Sequence, residues 1–371
     1  MNITDLKKIL EKEPSFRLKQ VKKAIFVDLI ENWQQATTIP QDLRQKLSEI
    51  YLIPELKIEK TLTSKDGETL KALFRLKDGL KIESVLMRHI DDRRTICVSC
   101  QVGCSIGCKF CATGQEGFKR NLLPLEIVPQ VLFFARILKK SNEKITNVVF
   151  MGMGEPFLNY DNAMAAIKIL NDKDGFNLGS RHISISTCGI IEGIKKLAKE
   201  KLQVHPHTKQ GQSTESAKID EVSLRYGVGV NLAISLHAPN NELRTELMPI
   251  NKKYPIEKML SAVDDYIKKT KRKVMFEYLM IDRVNDSLKE AEELAKLLKK
   301  PLYFVNLISF NPIGHSKFKP SPGWKIKKFK EILEKAGINV TQRYRFGQEI
   351  KAACGQLAGT PSEALAKEGG K

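Results

Sequence analysis

The stretch RTICVSCQVGCSIGCKFCATG, residues 94–114, begins as a strand and ends as a cysteine loop. RTICVSC (94–100) has the β-branched, apolar content of a strand. Cys104, Cys108 and Cys111 then follow as C-x3-C-x2-C, with Gly103 and Gly107 letting the loop curl. Downstream the rhythm of strand, loop and helix repeats. Strand-like runs recur at NVVFMGM (147–153), RHISIST (181–187), VNLAISLH (230–237), KVMFEYLMI (273–281) and YFVNLISF (303–310). Helical periodicity fills 124–139, 160–171, 190–202, 255–269, 286–299 and 324–336. Six βα units imply a parallel sheet with crossover helices, and strands this apolar imply burial on both faces. Six units do not close an eight-strand barrel, so the expected α/β fold is an open, TIM-like partial (βα)6 barrel. A doubly wound sheet is the alternative, because strand order cannot be read from sequence.

Upstream, residues 1–60 read as helices and form an N-terminal accessory unit. Leu6, Ile9 and Leu10 recur at helical spacing, as do Leu18, Val21, Ala24 and Ile25. Arg17, Lys19, Lys22 and Lys23 fall largely opposite that stripe, as a solvated face or an RNA-facing one. Residues 61–93 form a small β-rich extension, its short alternating runs starting near 57. The barrel is expected over 94–357. Within it, 205–229 is long, polar and poorly periodic, a functional loop or a flexible excursion. The tail, 358–371, is small and charged.

Hydrophobic residues are 42% of the 371, enough for a real core. No run approaches the ~20 apolar residues of a bilayer span. The N-terminus lacks the apolar core of a signal peptide, so a cytoplasmic protein is expected. The formal charge is +19, which favours a polyanionic partner, most often nucleic acid. Seven cysteines in such a chain are not a secreted disulfide framework, and five of them fall between Cys97 and Cys111.

Three thiolates on one short loop grip one face of a metal site. A structural zinc wants four ligands, usually in two separated pairs. A cubane iron–sulfur cluster usually takes four cysteines, so three leave one iron open to another ligand. Strand alternation places Cys97 and Cys100 on opposite faces, so at most one looks into the site. Cys188 and Cys354 are isolated, and an isolated cysteine is more often a small buried hydrophobe than a catalyst.

Polar residues gather where strands give way to loops: Gly152-Met153-Gly154-Glu155-Pro156, then Ser184, Ser186 and Thr187, then Ser235-Leu236-His237, then Asn311-Pro312. The C-terminal strand ends form the active face of parallel α/β sheets and barrels. Gly152 and Gly154 let a ligand approach the backbone, and Glu155 can accept hydrogen bonds from a cationic amino group.

C-x3-C-x2-C followed by a GxGEP strand end resembles the radical S-adenosylmethionine (SAM) superfamily. More narrowly, VSCQVGCSIGCKFCATGQEGFKRNL, MGMGEPFLN, ISISTCGI, LAISLHAPNNELRTELMPINKKYPI, VNLISFNP and AACGQL resemble the RlmN/Cfr family of RNA methyltransferases. The likeness runs from about residue 15 to 357. The chain departs from the family pattern at the 205–229 insert and at Cys100, where serine is usual.

The resemblance implies a 4Fe-4S cluster on Cys104, Cys108 and Cys111, with SAM on the open iron. It implies SAM contacts from Gly154, Glu155, Ser186, Ser235, Leu236, His237 and Asn311. Cys354 would carry a methyl group, Cys97 would be its redox partner, and Glu83 a proton acceptor. Two SAM molecules would be used per turnover. One methylates Cys354, and the other yields a 5′-deoxyadenosyl radical that takes a hydrogen atom from the S-methyl group. The carbon radical would add to an adenine, and Cys97 would release product as a Cys97–Cys354 disulfide. This chemistry suits adenine C2, which is electron-poor and cannot accept a methyl cation. The implied substrates are adenosine 2503 of 23S rRNA and adenosine 37 of tRNA. The implied partner is an electron donor such as flavodoxin, and a monomer is expected. A Cfr-type enzyme would attack C8 instead, and a zinc-stabilised RNA-binding protein would do no chemistry. Lys119, Arg120, Lys317, Lys319, Arg343 and Arg345 join the N-terminal basic residues as candidates for RNA contact.

Overall fold

The computed structural model describes residues 3–200, 229–314, 316–343 and 346–359. The 205–229 insert (but for Gly229), the tail beyond 359 and Arg345 lie outside the described residues.

Three helices open the chain: α1 (Ile3–Ile9), α2 (Phe16–Phe26) and α3 (Gln41–Ile50). The stripe read from sequence is their packing face: Leu6, Leu10, Val21, Ala24 and Ile25 are buried. The basic residues of α2 are paired at the protein's own surface. Lys22 reaches Asp172 at 2.5 Å, Lys23 reaches Asp28 at 2.8 Å, and Arg17 donates to Gln20 at 2.7 Å. Lys22 thereby joins α2 to the turn at residues 171–175, after the helix Tyr160–Leu170, rather than facing outward.

Three antiparallel strands follow, β1 (Lys57–Thr63), β2 (Thr69–Arg75) and β3 (Lys81–Arg88). They are not a separate layer. β3 pairs antiparallel with β4 (Arg94–Cys97), so the meander extends the main sheet. β5 (Gln101–Gly103) and β6 (Phe118–Asn121) make a small hairpin around the cysteine loop and the short helix α4 (Ala112–Gln115). Then come α5 (Pro124–Lys140), β7 (Asn147–Phe150), α6 (Tyr160–Leu170), β8 (Ile183–Thr187), α7 (Ile191–Leu197), β9 (Asn231–Ser235), α8 (Asn241–Leu247), α9 (Ile256–Thr270), β10 (Val274–Met280), α10 (Leu288–Leu297), β11 (Tyr303–Ser309), α11 (Gly323–Lys335) and β12 (Asn339–Gln342).

The sheet order is β1-β2-β3-β4-β7-β8-β9-β10-β11-β12, with every pairing from β4 to β12 parallel. Each new parallel strand is added on the same side of the last. A doubly wound sheet reverses direction at a switch point, and this order never does. The molecule is therefore a partial barrel, whose two sheet edges, β1 and β12, do not pair with each other. It has one parallel strand more than the sequence reading. Asn339–Gln342 is short and mostly exposed, as an edge strand tolerates, so it lacks the apolar run that marks its neighbours. Among the described residues no helix is long and apolar enough to cross a membrane.

The strands also end earlier than their apolar runs. β4 stops at Cys97, and Val98 to Gln101 leave the ladder to wrap the glycine turn after β7: Cys100 N donates to Met153 O at 2.9 Å and Gly152 N to Val98 O at 3.1 Å. A side chain on Gly152 would lie 2.7 Å from Val98 O, so only glycine lets the two loops cross.

Candidate active site

The cavity at the C-terminal strand ends holds about 200 Å³. Cys104, Cys108 and Cys111 line one wall, and Cys97 and Cys354 also face into it. Sequence positions 250 residues apart thus meet at one site.

Local geometry explains the cysteine wall. Gly103 has φ +71°, and a Cβ there would lie 1.7 Å from Gly117 O, so the β5–β6 hairpin can clamp the loop only over glycine. Gly107 is also left-handed, at φ +70°. Burial pushes all three thiols up in pKa, Cys104 to about 12. Thiols held among one another in an apolar wall become thiolates only when a metal supplies positive charge. Among the described residues no three His, Cys, Asp or Glu side chains form a group that could hold a metal ion. Three thiols fall one short of a structural zinc's four ligands, whereas a cubane cluster on three thiols keeps one iron open.

The other strand ends supply the floor. Glu155 is buried, and burial raises its pKa. Its Oε1 accepts from Phe157 N at 2.9 Å and its Oε2 from Cys188 N at 2.7 Å. Each carboxylate oxygen can accept a further bond, so the backbone orients Glu155 without exhausting it. Ser186 and Ser235 bring their Oγ atoms within 3.4 Å of each other on adjacent strands. His237 sits at φ +59°, and its Nδ1 accepts from Leu279 N at 3.0 Å. Burial lowers its pKa to about 3, so it is a neutral ring whose Nε2 carries the hydrogen. Gly154 and Asn311 line the cavity as well. Leu236 does not; its side chain is fully buried beneath the floor.

A buried arginine fixes this floor. Arg244 has no exposed surface and donates to Leu236 O, Asn251 Oδ1, Tyr254 O, Cys188 O and Ser235 O at 2.7–3.3 Å. It ties the ends of β8 and β9 to one hub. Arg244→Met should cost at least about 3 kcal/mol by stranding these acceptors. Thermal unfolding of the full chain measures this, and an unchanged Tm would contradict it.

Cys354 rides on a strap stapled across the cavity mouth. Ala112 N donates to Gly355 O at 2.8 Å, Thr113 Oγ1 to Leu357 O at 2.5 Å, and Asn311 Nδ2 to Cys354 O at 3.2 Å. The Cys354 thiol is solvent-reachable, while its recessed surroundings still push its pKa up. Cys97 is more enclosed, and burial first, then the neighbouring Cys354, pushes it up to about 12. Cys100 turns away: it is buried and its Sγ lies 3.6 Å from Met153 O, outside the cavity lining.

Glu83 is not brought to the cavity. It is buried and pairs with Lys71 at 2.8 Å, and its Oε2 accepts from Ala358 N at 2.8 Å and Gly359 N at 3.3 Å. Three other cavity residues were not legible as such. Glu277 interrupts an apolar strand, a signal that a lone buried carboxylate has a task. Arg343 read as an RNA contact but lies in the cavity wall, and Cys188 lines it as well. Of the other basic candidates, Arg120 is held by Asp78 and Glu126. Lys119, Lys317 and Lys319 are exposed, with no ion pair among the described residues.

Comparison with known proteins decides the family. The radical SAM superfamily model matches residues 98–298. A curated "Probable dual-specificity RNA methyltransferase RlmN" of Dictyoglomus thermophilum is 46% identical over 345 residues, covering 93% of this chain and 91% of that one. The chain belongs to the RlmN family of radical SAM methyltransferases. The same name is carried by a Carboxydothermus hydrogenoformans protein, 45% identical over 93% of this chain and 92% of its own. A solved radical SAM methyltransferase from Sphaerobacter thermophilus superposes with a TM-score of 0.86 at 40% identity, covering 97% of this chain and 98% of that one. Membership implies a 4Fe-4S cluster and SAM, and the three-cysteine wall with one open face fits them. Membership also removes the zinc-stabilised, non-catalytic alternative.

Proposed function

We propose that the protein methylates C2 of adenosine in RNA, at adenosine 2503 of 23S rRNA and adenosine 37 of tRNA, through a methyl group carried on Cys354. The observation that carries this reading is the meeting of Cys354 and Cys97 in the cavity walled by Cys104, Cys108 and Cys111. A metal-bound radical source alone needs neither thiol. Two more thiols facing the same space fit a covalent carrier and a resolving partner.

When bound, the cluster and SAM supply a 5′-deoxyadenosyl radical, and a second SAM supplies the methyl group. The chain's own residues do the rest. The Cys354 thiol gives up its proton and its sulfur takes the methyl group. After that methyl loses a hydrogen atom, its carbon bonds to adenine C2 and links RNA to protein; the adduct then gives back the one electron that the radical step took up and loses the C2 proton. Cys97, as thiolate, attacks the Cys354 sulfur; the S–C bond breaks with its electron pair passing to the carbon, which takes up a proton and becomes the product methyl group, and a Cys97–Cys354 disulfide remains. A two-electron reductant must restore both thiols before the next cycle. A one-electron donor such as flavodoxin serves the radical step. For Glu83 to accept the proton lost from C2, residues 358–359 must release its carboxylate. The strap and the buried floor place the reacting groups around one cavity.

RNA engagement falls to the exposed lysines and to the N-terminal unit, residues 1–60, acting as a monomer. Neutralised phosphates give affinity, and the target base is extruded into the cavity. The test is nucleoside mass spectrometry on rRNA and tRNA after reaction with reconstituted enzyme, SAM and reductant. 2-Methyladenosine is the expected product. 8-Methyladenosine would make the enzyme Cfr-like, and SAM cleavage with neither product would overturn the substrate assignment.

A further inference from the structure

We infer that Glu277 and Arg343 form an acceptor–donor pair that reads the Watson–Crick edge of an adenine presented to Cys354. The inference rests on the RNA adenine reading above and names the residues that would select the base.

Glu277 lies within β10, 3% exposed, and faces the cavity. Asn306 Nδ2 donates to its Oε2 at 2.8 Å, and Thr341 Oγ1 donates to Asn306 Oδ1 at 2.9 Å. The carboxylate is thus held from behind by two strands. Its Oε1 is buried and has no hydrogen-bond partner among the described residues. A buried acceptor left unmet is costly, so an oxygen held this way in a cavity wall calls for a donor on a ligand.

Arg343 supplies the complement. It follows β12, is fixed by its N–H to Leu307 O at 2.9 Å, and lines the same cavity. Among the described residues its one side-chain hydrogen bond goes to Met151 Sδ at 3.2 Å, a weak acceptor. No carboxylate among the described residues lies within ion-pair distance of it; burial raises the Glu277 pKa, and the nearby Arg343 works against that rise and favours the carboxylate. A guanidinium has five N–H donors, so most of this one's capacity is unspent.

Adenine presents an N6 amino donor beside the N1 acceptor, and C2 adjoins N1. A carboxylate opposite N6–H and a guanidinium opposite N1 would hold the base by two bonds and leave C2 free. Cys354 and Cys97 share the cavity with both groups. Guanine and hypoxanthine reverse this edge, placing O6 against the carboxylate and N1–H against the cation. Buried polar groups left mismatched in this way reject a ligand strongly. The adenine of SAM carries the same edge, and Glu277 is in register with Ser235, an expected SAM contact. The test must therefore separate base from cofactor.

The full-length, cluster-reconstituted enzyme would be given RNA with adenosine or inosine at the target position. Methylated nucleosides are quantified, and the Kd for SAM is measured in parallel. The wild type should prefer adenosine by about 100-fold or more. Glu277→Gln should narrow that preference at least tenfold, because an amide can donate to O6, while the SAM Kd stays within about twofold. Equal wild-type methylation of both RNAs would overturn the inference with no variant needed. So would an unchanged preference in Glu277→Gln, or a weakened SAM Kd that accounts for its whole defect. A wild type that cleaves SAM but methylates no adenosine would instead sink the proposed function, and the base-reading pair with it.

Discussion

Cys354→Ala is expected to abolish RNA methylation, by at least about 10³-fold, while the protein still binds its cluster and cleaves SAM. The cluster wall is Cys104, Cys108 and Cys111, and Cys354 sits on a strap whose carbonyls at Gly355 and Leu357 accept from Ala112 N and the Thr113 hydroxyl beside that wall. Alanine keeps those bonds, because the Cys354 atom they use nearby is its carbonyl oxygen, accepting from Asn311 at 3.2 Å. The substitution therefore removes a sulfur and leaves the scaffold. Methylated nucleoside and 5′-deoxyadenosine are measured in the same reaction. Normal methylation by the variant would end the covalent-carrier account. Loss of SAM cleavage together with methylation would place Cys354 in the cluster site instead.

Cys97→Ala should have the opposite signature: protein accumulating covalently bound to RNA, with turnover stopped. Without the resolving thiol, the bond between the Cys354 sulfur and the transferred carbon has nothing to cleave it. Cys100, three residues on, cannot substitute. It is buried behind the wall against Met153 O, whereas Cys97 lines the cavity. A double Cys97→Ala, Cys100→Ser variant should then trap as much adduct as the single one. Denaturing gels with labelled RNA read this directly. A free and active Cys97→Ala enzyme would mean that another thiol reaches Cys354. The raised pKa of Cys97 adds a kinetic mark. Its thiol is protonated at neutral pH, so its alkylation in the apo protein should quicken about tenfold per pH unit until the thiol titrates.

Much of this was legible from residue order. Apolar runs at even spacing gave the parallel strands, and the density of Cys104, Cys108 and Cys111 gave the metal wall. Alternation along the strand separated Cys97 from Cys100, and the structure keeps them apart. What sequence hid was what depends on non-local pairing. The sequential strand order, which separates a partial barrel from a doubly wound sheet, is written in no local pattern. Asn339–Gln342 was missed because an edge strand needs little apolar content. Glu83 reads as a proton acceptor by resemblance, and in the fold Lys71 and the 358–359 backbone hold its carboxylate. Arg343 reads as a candidate for RNA contact and Lys22 as part of a solvated or RNA-facing surface; the chain just after β12 places Arg343 in the cavity wall, and Asp172 holds Lys22. Charge counts find a polyanion partner; they do not say which cations meet it.

The measurement that tests the central claim most directly uses SAM with a fully deuterated methyl group. If the methyl rides on Cys354 and loses one hydrogen before reaching the base, the product 2-methyladenosine carries two deuterium atoms in its methyl group. The third deuterium then appears in 5′-deoxyadenosine. A product methyl retaining all three deuteriums would mean direct transfer from SAM, and the carrier role of Cys354 would be wrong.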